Sequence, residues 1–161
     1  MTLAPPFVTA TAHEGTGLDY LRRIVAGELA SLPIGDTLGF RIAEAERGRV
    51  VLVGTPDRRS YNLIGTVHGG WAAAILDSAM GLSALSSLDE NHLFTTLDIK
   101  INYVRGMSAE TGEVRAEGNV VNAGRRVILS EARLADAAGR LLATGQSTCL
   151  VLPRTKKPGG E

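Results

Sequence analysis

Between Gly69 and Leu88 the chain runs for twenty residues with a single charged side chain, Asp77. A stretch of that length and polarity is either a membrane span or a helix enclosed by protein on nearly every side. Ser78, Ser83, Ser86, Ser87, glycines at 69, 70 and 81 and a central carboxylate make a poor span, and no basic anchors flank them. The expectation is a long buried helix, with Trp71, Ile75, Ala79 and Leu82 as its bulkier stripe.

Such a helix needs a second layer to cover it, and the rest of the chain reads as strands. Leu38, Phe40 and Ile42 recur at every second position, Arg47-Gly48 interrupts, and Val50 to Val53 resumes, as in a hairpin. After the helix, Leu97, Ile99, Ile101 and Tyr103 alternate with Thr96, Asp98, Lys100 and Asn102. Runs at 113–121, 125–135 and 140–152 follow, separated by Asn122-Ala123-Gly124 and Ala137-Ala138-Gly139. Their short connections predict antiparallel neighbours in a four-stranded meander. Leu21, Ile24, Val25 and Leu29 give the segment 18–32 a helical period. The order is helix, two strands, long helix, four strands. That predicts an α+β fold, one antiparallel sheet around one long central helix, in a single domain over 17–152. The flanks, 1–16 and 153–161, are expected to be loosely ordered.

Composition narrows the function. Seventeen basic residues balance seventeen acidic ones, so no electrostatic footprint for nucleic acid or an anionic membrane is present. With 44% apolar residues the core needs no staples. Cys149 is alone, and His13, His68 and His92 show no zinc spacing, so neither a disulfide nor a metal is expected. The first residues lack a basic start followed by an apolar run, which points to a cytoplasmic protein.

An isolated buried carboxylate is costly to ionise, so Asp77 is either satisfied by a strand hydroxyl or amide, or it does chemistry. The residues sharing its helix face are Gly70, Ala73, Ala74, Met80, Gly81 and Ala84, nearly all small, which predicts room for an approaching group. The helix start has its own chemistry. His68 stands at the cap and Gly69-Gly70 open the first turn, where backbone N–H groups lack intrahelical partners. Glycines there cost helix stability and give close access to bare amides, which a developing oxyanion requires. Asp77 lies nine residues after His68, about 13 Å along the axis. If both groups act on one atom, two chains must contribute, with antiparallel helices about a two-fold axis.

The motif N-x2-G-x2-H-G-G-x6-D, carried by Asn62, Gly65, His68, Gly69, Gly70 and Asp77, resembles that of the hotdog-fold thioesterases of the phenylacetate-degradation (PaaI-like) family. The element order from Gly35 to Leu152 is similar as well. The resemblance implies a hotdog fold and hydrolysis of acyl-CoA thioesters in a homodimer or a dimer of dimers, without a cofactor. On it, Asp77 matches the catalytic acid, as nucleophile or as general base toward water. Gly69 matches the amide that polarises the thioester carbonyl, and Asn62 the loop amide that positions the reacting group or water. His68 matches a motif histidine supporting the loop or the thiol side, and Thr96, with Thr95 as the alternative, a hydroxyl that orients water or the acid. Gly70 and Trp71 adjoin these as substrate contacts. Arg105, Arg125 and Arg126, at strand ends, are candidates for the CoA phosphates. Tyr61, Trp71 and Phe94 are candidates for an acyl pocket. Two other readings stand beside this one: a non-catalytic acyl-CoA sensor, and a hotdog hydratase or dehydratase built on an Asp–His pair.

Overall fold

The structure, a computed structural model, describes residues 15–154. The segments 1–14 and 155–161, expected to be loosely ordered, lie outside the described residues. Helix α3 (Gly69–Leu85) is the long apolar helix, and it touches every strand of the sheet. It ends before the predicted Leu88 because its serines turn back on the backbone. Ser83 Oγ donates to the Met80 carbonyl at 2.7 Å and Ser86 Oγ to the Ser83 carbonyl at 2.7 Å. Ser86 Oγ also accepts from the Gly48 amide at 2.8 Å, tying the helix end to the first hairpin.

Six antiparallel strands curl around this helix: β1 (Phe40–Glu46), β2 (Arg49–Gly54), β3 (His92–Tyr103), β4 (Val114–Ala123), β5 (Val127–Asp136) and β6 (Leu141–Pro153). Their spatial order is β1-β2-β4-β5-β6-β3. The meander therefore holds for β4 to β6 but not for β3, which pairs with β6 alone at the sheet's edge. The connection 104–113 explains the difference. It crosses the end of the sheet, buries Met107 and docks on the loop before α3. Val67 donates its amide to the Met107 carbonyl at 2.9 Å, and the Ala109 amide donates to Tyr61 Oη at 2.8 Å.

The segment expected as one helix over 18–32 is shorter. Helix α1 (Gly17–Val25) begins with a capping box in which Thr16 and Asp19 exchange hydrogen bonds, and Gly27, at φ 76°, ends it. Helix α2 (Pro33–Leu38) follows, started by Pro33 and stopped by Gly39 at φ 76°. Leu38, read as the first strand residue, is thus the last helical one.

Val50, Leu52, Val114, Ala116, Leu134, Leu142 and Ala143 point from the strands into the core and meet Trp71, Ile75, Leu76, Ala79 and Met80 of α3. The closest approach is at Gly118 in β4, where any Cβ would run into the Ala79 carbonyl. Among the described residues no helix is long and apolar enough to cross a membrane. A Gly118→Ala substitution must lift the helix off the sheet. It is expected to cost about 1–3 kcal/mol or more in chemical denaturation. Gly106→Ala, where nothing lies within 4 Å of an added Cβ, is expected to be nearly neutral.

Candidate active site

Trp71, Ile75, Ala79 and Leu82 are buried against the sheet, as their spacing implied. The opposite face is not open along its whole length. Met80, Gly81 and Ala84 are buried too, and the Phe94 ring fills the space at Gly81, 2.7 Å from where a Cβ would sit. What stays half-exposed is a short stripe, Ala73, Ala74, Asp77 and Ser78, in the N-terminal half of the helix. The room expected around Asp77 is therefore confined to the side toward the helix start.

Thr96 Oγ1 donates to Asp77 Oδ1 at 3.1 Å. The simple alternation in β3 put Thr96 on the face opposite Ile99 and Ile101, and a β-bulge removes that conflict. The register with β6 shifts between Thr96 and Asp98, so Leu97 is an extra residue in the ladder. Before it the even-numbered Phe94 and Thr96 face α3; after it the odd-numbered Ile101 and Tyr103 do. Thr95, the alternative, is exposed. Burial pushes the Asp77 carboxyl above its ordinary value, and the Thr96 hydroxyl pulls it partly back. Cys149, which the sequence did not single out, pairs with Thr96 across the ladder, and burial raises its thiol pKa.

At the helix start His68 is extended, and its Nδ1 accepts the Gly70 amide at 2.8 Å. The Trp71 amide donates to the His68 carbonyl at 3.0 Å. Of the two amides expected to be bare, only that of Gly69 has no acceptor among the described residues. The other expectation modified by geometry concerns Asn62. Its Oδ1 accepts from the Ile64 and Thr66 amides, both at 3.1 Å, and its Nδ2 donates to Thr66 Oγ1 at 2.9 Å. Most of its amide is occupied in shaping its own turn, which leaves Leu63 and Ile64 fully exposed at the tip.

Gly70 and Trp71 line a cleft of about 300 Å³ with Leu38, Arg59, Tyr61 and His68. Trp71 is its floor: the ring is buried and the indole N–H donates to the Leu38 carbonyl at 2.8 Å. Tyr61 borders this cleft, whereas Phe94 lies away from it, against Gly81. Arg105 donates to the Leu141 carbonyl at 2.9 Å, at one end of β6, while the Arg126 carbonyl accepts from Val151 at the other. Ten strand residues, about 33 Å, separate those anchor points, so within one chain Arg105 and the exposed Arg125-Arg126 pair do not reach the same phosphate. No three His, Cys, Asp or Glu side chains gather as metal ligands among the described residues.

The geometry is that of a carboxylate and a free amide at separate points of one helix, on a sheet that leaves that stripe open. Comparison with known proteins bears on the family. Residues 64–143, spanning the helix start to early β6, match the thioesterase superfamily. A thioesterase family protein of Silicibacter pomeroyi is 30% identical, with a TM-score of 0.73 over 83% of this chain and 98% of that one. A phenylacetic acid degradation-related protein of Ralstonia eutropha is 26% identical, with a TM-score of 0.74 over 81% of this chain and 98% of that one. The 1,4-dihydroxy-2-naphthoyl-CoA hydrolase of Listeria monocytogenes is 23% identical over 121 residues, 75% of this chain and 97% of that protein. The chain belongs to the thioesterase superfamily and is a hotdog-fold thioesterase.

Proposed function

We propose that the chain hydrolyses acyl-CoA thioesters to a free acid and CoA as a cytoplasmic homodimer. In each active site Asp77 of one protomer works with the amide of Gly69 of the partner subunit. The observation that carries this reading is the pairing of a Thr96-bound carboxylate on the open stripe of α3 with an unengaged amide at the same helix's start. The CoA thioester as substrate class is supported by the Listeria relative, which is named for one.

The two-fold arrangement rests on β3. This edge strand runs beside α3 from Thr96 at Asp77 to Tyr103 at Gly69, spanning both halves of the site. An axis through its middle exchanges those ends and brings Gly69 of the partner subunit to Asp77. Leu97, Ile99, Tyr103 and Val104 are exposed along this edge, an apolar surface that an unpaired strand would leave open to aggregation. The same rotation carries Arg105 to the end of the interface that bears Arg125 and Arg126 of the partner subunit, and both groups are assigned on that ground to one CoA.

Chemically, the Gly69 amide takes the thioester carbonyl oxygen as it gains negative charge. With Asp77 as general base, the carboxylate removes a proton from water while the water oxygen bonds to the carbonyl carbon. The tetrahedral intermediate collapses, the C–S bond breaks, and the thiolate recovers that proton as CoA leaves. With Asp77 as nucleophile, its oxygen bonds to the carbon, CoA leaves, and water then cleaves the mixed anhydride. Burial suits either role, since a raised pKa makes the carboxylate more basic.

Thiol release from a panel of acyl-CoAs tests the reading. Asp77→Ala is expected to lose about 10²–10⁴-fold in kcat; turnover equal to the parent's would remove Asp77 from the mechanism. The acid limb of kcat/KM is expected above the ordinary carboxylate value of 3.8. Thr96→Val removes the bond that lowers this pKa, so the limb should move to higher pH, and a shift to lower pH would contradict the assignment. The carboxyl's folded-state pKa lies above its unfolded one, so the folded state binds more protons in between and loses stability as pH rises through that window. Asp77→Asn should therefore denature at a higher midpoint than the parent at neutral pH. That gain should vanish at pH values below the ordinary carboxylate range.

A further inference from the structure

Gly69, the first glycine of the His-Gly-Gly run, has a partner that the sequence pattern did not mark. Tyr103, the last residue of β3, donates its hydroxyl to the Gly69 carbonyl at 2.9 Å. Its ring occupies the space a side chain at 69 would need: an ideal Cβ there would lie 2.9 Å from Tyr103 Cζ and 3.0 Å from Oη. Glycine is the residue with the most backbone freedom, and two in succession at a helix start favour fraying. On its N-terminal side Gly69 is held through His68, whose amide donates to the Ser60 carbonyl at 2.7 Å. On its C-terminal side the contact from outside the helix is Tyr103.

We propose that Tyr103 is a positioning residue for the oxyanion donor: its hydroxyl anchors the Gly69–Gly70 peptide and so limits rotation about the Gly69 backbone, through which the unengaged amide of the preceding His68–Gly69 peptide would otherwise turn. This rests on the thioesterase reading and adds to it a residue on the edge strand. It also assigns a cause to glycine at 69, which is room for the Tyr103 ring rather than room for substrate. The free amide and the strand that forms the two-fold interface are then one unit, because the residue aiming the amide sits at the end of β3.

An oriented donor acts on the transition state more than on bound substrate, so its loss should appear in kcat. Tyr103→Phe keeps the ring and removes the hydrogen bond. It is expected to lower kcat about three- to ten-fold, the range of one hydrogen bond, with KM and the denaturation midpoint nearly unchanged. Gly69→Ala pushes the ring aside and breaks the same bond. Gly69→Ala combined with Tyr103→Phe should therefore be no slower than Gly69→Ala alone. Parental kcat in Tyr103→Phe, a change confined to KM, or losses that multiply in the double variant would each overturn the proposal while leaving the thioesterase reading intact. A parent chain with no turnover on any thioester would overturn both.

Discussion

A helix without a polar face has to be enclosed, and most of this fold follows from enclosing α3. Apolar side chains on one face of the strands meet it, and the sheet curls so that every strand reaches it. Close contact demands the absence of a side chain at Gly118 beneath Ala79, and the Phe94 ring takes the space at Gly81. Enclosure is complete over the C-terminal half of the helix and incomplete over the N-terminal half, where Ala73, Ala74, Asp77 and Ser78 remain half-exposed. The chain's one charge in that helix sits at the boundary between the two halves. It is buried enough for its proton affinity to rise and open enough for a second group to reach it.

The hydrogen bond from Thr96 keeps that boundary workable. Desolvation alone would push Asp77 toward the neutral form, in which it neither attacks nor accepts a proton. The hydroxyl favours the carboxylate and offsets part of the shift. Its position depends on the single bulge at Leu97, which turns the Thr96 side chain toward the helix while the rest of β3 keeps Ile101 and Tyr103 on that same face. A strand of perfect alternation could serve Asp77 or Gly69, not both.

The elements with strong periodicity were legible. One charge in twenty residues announced α3, and the alternating runs with glycine turns announced β4, β5 and β6. What escaped was decided by long-range packing. The placement of β3 at the far edge depends on the 104–113 crossover docking against the loop at 61–67, and no local pattern encodes that choice. The split between α1 and α2 was visible in principle, since Gly27 falls inside the helical period read over 18–32 and Pro33, a residue suited to a helix start, follows it directly. In the site, Asp77, His68 and Gly69 could be singled out because a lone charge and a capped glycine pair are local signals. The bulge that brings Thr96 to Asp77, the use of the Gly70 amide by His68 and the contact of Tyr103 with Gly69 are tertiary facts. They became apparent only once strand and helix were side by side.

Neither half of the proposed site can act on the other within one chain, because the helix that carries both holds them eight residues, roughly 12 Å, apart. Mixing two inactive chains reads out the consequence of that rigid separation. Asp77→Ala and Gly69→Val homodimers, each without activity, would be combined and allowed to exchange subunits while thiol release is followed. Half of the dimers formed at random carry one defect in each protomer, and in those one of the two sites is intact, so about one quarter of the parental rate should return. Exchange confirmed by labelling, with no recovery of turnover, would contradict a shared site.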